Sequence, residues 1–321
     1  MIIKKICILG GTGFVGQTLA NRLTDEGYLL RILTRDREKK RVNLILLPSV
    51  ELVEANIHNQ EHLNEQFKGC DAIINLVGIL NEKARDGSGF RRAHVELNEK
   101  ILAACRKNGI KRMLYMSALN ADAVNGPSYY LRTKGEAEDM VHAATGINAT
   151  SYRPSVIFGP RDSFFNRFAG LLKIMQLVFP LACPGTRFAP VFVGDVAEAI
   201  AMTIDDPQSY GRRYTLVGPS VYTLRQLLEY TAHCLGIKRY ILPLPDFIGR
   251  LQAAVFDFIP GKPFSTDNYL SATIDSISEH NDLDELGVVP TPLEAVVPRY
   301  LGNKTIRADY YRFRQSTGRK T

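Results

Sequence analysis

The sequence predicts an α/β protein, a doubly wound parallel sheet with a smaller, mostly helical C-terminal lid domain. Three observations predict it. Apolar strand-like runs alternate with helical runs over the first half of the 321 residues, and a glycine triplet, Gly10, Gly13 and Gly16, separates the first strand from the first helix. After Pro160 the character changes to longer helices and proline-rich joints, which marks a second lobe.

Residues 5–9 form a continuous apolar run, and the helix after them presents Phe14, Val15, Leu19 and Leu23 on one face before ending near Gly27. Further strands are expected at 29–34, 50–55, 72–77, 113–117 and 149–154, and helices at 60–67, 92–108 and 131–144, the last two ended by Gly109 and Gly146. Two later stretches, 191–197 and 213–217, read as returns to the sheet. The lobes are therefore discontinuous: 1–159 with about 189–218 form the sheet domain, about 160–188 with 219–302 the lid, and 303–321 a basic tail. In such sheets ligands bind at the carboxyl ends of the strands, which places the substrate under the lid.

The glycine turn carries the first chemistry. A tight strand-to-helix turn brings backbone N–H groups close to a pyrophosphate at the positive end of a helix, where a Cβ would obstruct. Gly10, Thr12, Gly13, Phe14, Val15 and Gly16 are thus candidate dinucleotide contacts. At the end of the second strand an NAD site would offer a carboxylate to the adenosine ribose, but the chain has Thr34-Arg35-Asp36-Arg37. Thr34 stands in the acidic place and Arg35 offers a guanidinium to a 2′-phosphate, so NADP(H) is expected over NAD(H). Tyr130 and Lys134 stand four apart on one helix, a spacing that lets an ammonium depress the phenol pKa and contact the nicotinamide ribose while the phenol exchanges a proton. Tyr129 would pair instead with Thr133.

Composition excludes several classes. The net charge of +7 is concentrated in 303–321, which holds six basic residues and one acidic. That tail suits anionic lipid or an acidic partner, or is simply a solvated terminus, and no nucleic-acid module accompanies it. Cys7, Cys70, Cys105, Cys183 and Cys234 form no Cys-x-x-Cys pair and read as reduced core thiols. The six histidines read as solvated polar residues; only His58 and His62 share an i, i+4 spacing, with no third ligand nearby, so no metal is expected. Segment 246–259 places Phe247, Ile248, Leu251, Ala254, Val255, Phe258 and Ile259 on one helical face, a stripe that reads first as core and second as a membrane or docking surface. The apolar stretches are too short or too interrupted to span a bilayer, and the first strand begins within four residues of Met1, so a cytoplasmic protein without presequence is expected.

With both motifs in order, the chain resembles the extended and atypical short-chain dehydrogenase/reductase superfamily, with its Rossmann sheet, over nearly its whole length. Arg153-Pro154-Ser155-Val156-Ile157-Phe158-Gly159-Pro160 and Val193-Gly194-Asp195-Val196-Ala197 match later signatures of that superfamily. The stretch from Ser155 through Asp162-Ser163-Phe164-Phe165-Asn166-Arg167-Phe168, with Tyr130 to Glu138, is similar to the nucleotide-binding accessory subunit family of respiratory complex I, alpha-subcomplex subunit nine. The resemblance implies NADPH held without demonstrated turnover, a respiratory or quinone-linked role, and a site at the cytoplasmic face of the membrane. It also implies that Asn56 and Ile57 flank the adenine, that Leu76, Val77 and Gly78 line the ribose and pyrophosphate wall, and that Arg153 and Pro154 join the cofactor site.

Ala118 falls where sugar epimerases of the superfamily carry a substrate-binding Ser or Thr, and Ser117, one residue early, is the remaining hydroxyl candidate for catalysis. Arg187 is the nearest match to a diphosphate-binding arginine, one position out of register, and Phe188, Ala189 and Pro190 suit an apolar, isoprenoid or quinone-like substrate as well as a sugar nucleotide. The expectation is an NADP(H)-binding member of this group associated with a respiratory complex or membrane surface. The alternatives are an active nucleotide-sugar epimerase, dehydratase or carbonyl reductase, and a catalytically silent nucleotide-binding scaffold.

Overall fold

The computed structural model describes residues 3–41, 44, 47–175, 177–260 and 262–302, and the expected basic tail, 303–321, lies outside the described residues. Its sheet half runs β1 (Lys5–Leu9), α1 (Phe14–Asp25), β2 (Leu29–Thr34), α2 (Arg37–Arg41), β3 (Val50–Glu54), α3 (Gln60–Gln66), β4 (Ala72–Asn75), α4 (Ser88–Arg91), a π-helical turn (Arg92–Glu96), α5 (Leu97–Asn108), β5 (Arg112–Met116), α6 (Tyr129–Ala143) and β6 (Asn148–Pro154). The remainder runs β7 (Ile157–Phe158), α7 (Phe165–Ile174), β8 (Val178–Leu181), β9 (Arg187–Phe188), β10 (Val191–Phe192), α8 (Val193–Thr203), β11 (Arg213–Leu216), β12 (Tyr222–Thr223), α9 (Leu224–Cys234), β13 (Tyr240–Pro243), α10 (Asp246–Phe256), α11 (Thr266–Ser271), α12 (Asp282–Glu285) and α13 (Leu293–Leu301).

The seven-stranded sheet has the order β11-β6-β5-β4-β1-β2-β3, and each pairing within it is parallel. The strand order reverses beside β1, with Ile8 in register with Ile32 of β2 and Ile74 of β4. Side chains alternate across the sheet: Ile6 and Ile8 enter one apolar layer with α1 and α8, while Cys7 and Leu9 enter the other with α3, α5 and α6. Being buried on both faces, these strands read as continuous apolar runs. A third cluster, including Phe165, Leu172, Leu224, Leu228 and Val297, forms the lid core.

Three expectations change. The return at 191–197 is mostly helix: only Val191 and Phe192 are extended, paired with β7 outside the main sheet, and α8 begins at Val193. Its helix-forming run Ala197-Glu198-Ala199-Ile200-Ala201 packs on α1, where Arg22 donates to Glu198 at 2.9 Å. Residues 281–288, grouped with the lid from sequence, pack on the sheet edge, where Asp282 accepts the Thr215 N–H at 2.6 Å and Leu283 joins the sheet core. The stripe on α10 is not core: the helix buries only Gly249 and Ala253 and leaves Phe247 71 % exposed. The five cysteines are free, with Cys7, Cys70 and Cys105 buried. Among the described residues no helix is long and apolar enough to cross a membrane.

One buried cation ties the layers together. Arg112 at the start of β5 donates to the carbonyls of Ile204 (2.9 Å), Asn148 (2.8 Å) and Thr203 (2.7 Å) and to the hydroxyls of Thr150 and Ser209 (both 2.8 Å). Those acceptors come from β6, the end of α8 and the loop after it, and removing the guanidinium would strand them. Arg112→Met is expected to cost about 3 kcal/mol in urea unfolding. A loss under about 1 kcal/mol would show that the acceptors find other partners.

Candidate functional site

The turn after β1 is built by close approach. Gly10 has φ +79°, and a Cβ on it would lie 3.0 Å from the Leu76 carbonyl carbon at the end of β4. A Cβ on Gly16 would lie 2.5 Å from both Gly10 O and Gly11 Cα, so α1 starts in direct contact with the turn. Gly13 differs, because a Cβ there meets only Gly10 O, at 3.1 Å. Two of the three glycines serve the fold, and the third leaves space at the positive end of α1, which has no acidic residue in its first turn. Phe14 lies beside Gly159, Val15 packs against the sheet core, and Gln17 donates to Thr12 O at 2.8 Å. Arg161, with φ +72°, reaches across from the loop before α7 to bond Gln17 Oε1. Sequence reasoning gave no sign of this second cation at the turn.

A cleft of about 1080 Å³ extends from the ends of β2 and β3, lined among others by Arg35, Asn56, His58, Ile79, Arg92 and Glu96. Thr34 is buried and its hydroxyl turns back to the Asp36 backbone, while the Asp36 carboxylate accepts the Lys39 N–H at 3.0 Å and pairs with its ammonium at 3.1 Å. Glu54 also lines the cleft, but its carboxylate accepts the Arg37 N–H at 3.2 Å. Arg35 and Arg92 are exposed, and neither makes an ion pair with a described residue. Burial lowers the His58 pKa, helped by the positive charges of Arg92, Lys100 and Arg35, and its Nδ1 is buried without a partner. Asn56 shapes the same loop, accepting the His58 N–H at 3.0 Å and donating its own N–H to His62 Nδ1 at 3.2 Å. The His58 and His62 spacing is thus part of the cleft wall. Ile57 packs on the apolar layer below it.

On the far side of Gly78, α6 brings Lys134, and Tyr130 one turn before it, to the ends of β4 and β5. The Lys134 ammonium is buried, donates to Met116 O at 2.7 Å and Val77 O at 3.3 Å, and lies 5.0 Å from the Tyr115 ring centroid. Burial pushes its pKa down to about 7, against which Glu138 gives only a small opposing pull. A Cβ on Gly78 would stand 3.4 Å from that nitrogen, so the Val77–Gly78 backbone and the lysine share one wall. Leu76 precedes them, its N–H held by Leu9 O at 2.9 Å. Contrary to the expected depression by Lys134, burial, with the Asp267 carboxylate second, pushes the Tyr130 phenol up to about 12. Tyr129 lies instead over Gly87 and beside Arg132.

Sequence reasoning also missed Arg92, on the cleft wall, and His94. His94 is buried, against the expectation of solvated histidines, and sits in the π-helical turn, a distortion that re-aims side chains. Its ring meets Tyr130 edge-on at 5.6 Å. Nε2 faces the Ile79 N–H at 3.4 Å and Nδ1 lies 2.9 Å from Thr133 Oγ1, whose hydroxyl donates to Tyr129 O at 2.7 Å. These partners fit a neutral ring with its proton on Nδ1, and burial together with Lys134 holds its pKa well below the usual range.

Two expected residues point elsewhere. Ser117 donates to Glu138 at 3.1 Å, and Arg153 Nε lies 3.0 Å from both oxygens of the same carboxylate. Glu138 is fully buried one turn beyond Lys134 and draws both groups to itself, since an unpaired buried carboxylate is costly. Pro154 closes β6 as a buried ring whose carbonyl accepts the Leu119 N–H at 2.9 Å. Arg187 is held by Asp275, at 2.7 Å from Nε. The lid meets the site through Asp267, which accepts the Tyr129 N–H at 2.7 Å and the Tyr130 N–H at 3.3 Å and so caps α6.

The two kinds of glycine separate in mutagenesis. Gly16→Ala should lower thermal stability before any ligand is added, because its Cβ meets backbone that cannot give. Gly13→Val should melt near wild type yet lose nucleotide affinity by calorimetry, and unchanged affinity would move the pyrophosphate away from this turn.

Residues 6–216 match the NAD dependent epimerase/dehydratase family. Over 295 residues the chain is 29% identical to NADH dehydrogenase (ubiquinone) 1 alpha subcomplex subunit 9 of Mus musculus mitochondria, covering 89% of this chain and 77% of that protein. It is 29% identical over 245 residues to a ceramide reductase of Caulobacter vibrioides, covering 75% of this chain and 74% of that one. In fold it is similar to a dTDP-glucose 4,6-dehydratase of Streptomyces venezuelae solved with NAD bound, with a TM-score of 0.73, 16% identity, and coverage of 98% and 99% of the two chains. The glycine turn, the parallel sheet around it and the match over two thirds of its length agree: this chain belongs to the NAD dependent epimerase/dehydratase family.

Proposed function

We propose that the chain binds NADP(H) in preference to NAD(H) and that Tyr130 and Lys134 handle the proton that accompanies hydride transfer to an apolar, quinone-like or other carbonyl substrate. The protein would work in the cytoplasm, peripheral to the membrane and associated with a respiratory complex. The observation that carries the cofactor preference is that two guanidiniums without an ion pair among the described residues, Arg35 and Arg92, stand at a cleft whose acidic place is taken by Thr34. Asp36 and Glu54, the carboxylates that would favour an unphosphorylated ribose, are engaged with the backbone of Lys39 and Arg37.

The residues present fit the group. Gly13 leaves the space a pyrophosphate needs, Asn56 and Ile57 border the adenine end, and Leu76, Val77 and Gly78 wall the ribose. When bound, the nicotinamide would supply or accept hydride. At neutral pH the raised phenol of Tyr130 keeps its proton, so in this environment it is an acid, suited to protonating a carbonyl oxygen as it is reduced. Lys134 keeps Val77 O and Met116 O engaged, and an anion nearby would restore its charge. His94 and Phe90 hold the Tyr130 ring from the side. The similarity to a complex I subunit and to a ceramide reductase supports a respiratory setting and an apolar substrate.

Ala118 favours a second reading. With no hydroxyl there, and Ser117 committed to Glu138, the usual partner of the tyrosine in polarising a carbonyl is missing, as in a nucleotide-binding subunit that does not turn over. A third reading, a nucleotide-sugar epimerase, would need Arg187 freed from Asp275.

Calorimetry should give tighter binding of NADPH than NADH. Arg35→Ala with Arg92→Ala should weaken NADPH about ten- to a hundredfold and leave NADH nearly unchanged; equal losses for both would refute the phosphate role. In NADPH oxidation with a short-chain ubiquinone analogue, Tyr130→Phe should lower kcat about a hundredfold or more at unchanged NADPH affinity. No NADPH oxidation by wild type with quinone or ketone, together with no epimerisation or dehydration of a sugar nucleotide, would decide for the silent subunit.

A further inference from the structure

We infer that the exposed apolar face of α10, continued by the β8–β13 ribbon, seats the lid flat on an anionic lipid bilayer. α10 touches the protein through Gly249, against Ala182 and Tyr269, and through the buried Ala253. On its outer face Phe247 (71 %), Leu251 (63 %) and Val255 (52 %) are exposed at successive spacings of four, and Phe258 (73 %) is exposed in the turn just after the helix. The ribbon beside it extends the surface with exposed Val178 paired to Tyr240 and exposed Leu242 two residues on, and Ile174 and Leu177 stand exposed where the chain enters β8. Folding has left these apolar side chains in water on α10 and on the ribbon that Gln252 of α10 touches at Pro180 O, a concentration beyond the isolated exposed apolar residues that are ordinary.

Charge selects the occupant. Lys173 adjoins Ile174, Lys238 and Arg239 adjoin Tyr240, Lys262 follows Ile259, and the Arg85 guanidinium lies 3.6 Å from the Phe258 ring centroid. None of these cations pairs with a carboxylate among the described residues; Lys262 donates to Ala84 O and Arg239 to Leu172 O. The acids of the segment are already engaged: Asp246 pairs with Arg250 at 2.9 Å and accepts from Tyr269, and Asp257 accepts from Thr266 at 2.6 Å. An apolar stripe rimmed by unneutralised cations matches acyl chains bordered by anionic headgroups. A second copy of the chain would bring two positive rims together. With 11 residues α10 is too short to cross a bilayer and suits the interfacial plane. The face ends at Arg85, in the loop whose neighbours Lys83 and Ala84 line the nucleotide cleft, so a docked lid would present the site to the membrane surface.

The test is sedimentation of the full chain with phosphatidylcholine vesicles containing or lacking phosphatidylglycerol. Binding should require phosphatidylglycerol and weaken with salt. The combined variant Phe247→Gln, Leu251→Gln and Phe258→Gln should partition at least about tenfold less, while binding NADPH as wild type does, which separates this inference from the cofactor reading. Lys173→Gln and Lys238→Gln should each lower binding about fivefold. Because the chain has no tryptophan, Phe247→Trp supplies a direct reporter, and its emission should shift to the blue on adding the anionic vesicles. Absence of wild-type binding, equal binding by the triple variant, or an unshifted tryptophan would overturn the inference. So would a dimer that the triple variant dissociates in a protein that ignores vesicles, which would give the face to a second copy.

Discussion

The contact on which the rest depends is between α1 and the turn that launches it. Gly16 lies so close to Gly10 and Gly11 that no side chain fits, and a Cβ on Gly10 would stand 3.0 Å from the Leu76 backbone just past β4. That packing fixes the first helix at the point where strand order reverses, with its unsatisfied N–H groups facing the carboxyl edge of the sheet. Because the strands around it are parallel, their ends deliver the other groups to the same edge: Thr34 and Arg35 from β2, Asn56 from β3, Val77 and Gly78 from β4, Met116 from β5. The site follows from register as much as from the identity of any residue.

Burial then divides the charges of α6 into two uses. Glu138 gathers Arg153, Ser117 and, at 3.6 Å, Arg213, so that the negative charge under the helix is compensated. Lys134, one turn earlier, donates only to carbonyl oxygens, and burial lowers its pKa against the pull of Glu138. The result is a buried lysine whose pKa is pushed down to about 7, one turn along α6 from Tyr130.

The sheet was legible because strands buried on both faces read as unbroken apolar runs, and the glycine turn because three glycines stand between such a strand and an amphipathic helix. Strand ends moved by a residue or two, and 193–197, read as strand, is helix because short apolar runs do not separate strand from helix. The glycine turn, Arg35, Tyr130 and Lys134 could be placed from spacing. His94 could not, since its partners Ile79 and Thr133 lie far away in sequence and nothing in Arg92–Glu96 announces a π-helical turn. Ser117 was offered to catalysis because Glu138, its actual partner, comes from another element. The α10 stripe was visible, but periodicity shows that a helix has two faces without showing which one the protein covers.

The central claim is that Arg35 and Arg92 meet a phosphate on the adenosine ribose, and phosphorus NMR of NADP⁺ bound to the protein tests it most directly. A free phosphate monoester takes up its second proton near pH 6, at about the value of its second pKa. Between two guanidiniums that pKa should fall, so the account predicts that the bound 2′-phosphate resonance holds its dianion position as the pH is lowered through 6. A bound resonance that titrates as the free nucleotide does would contradict it and leave the two arginines without a ligand.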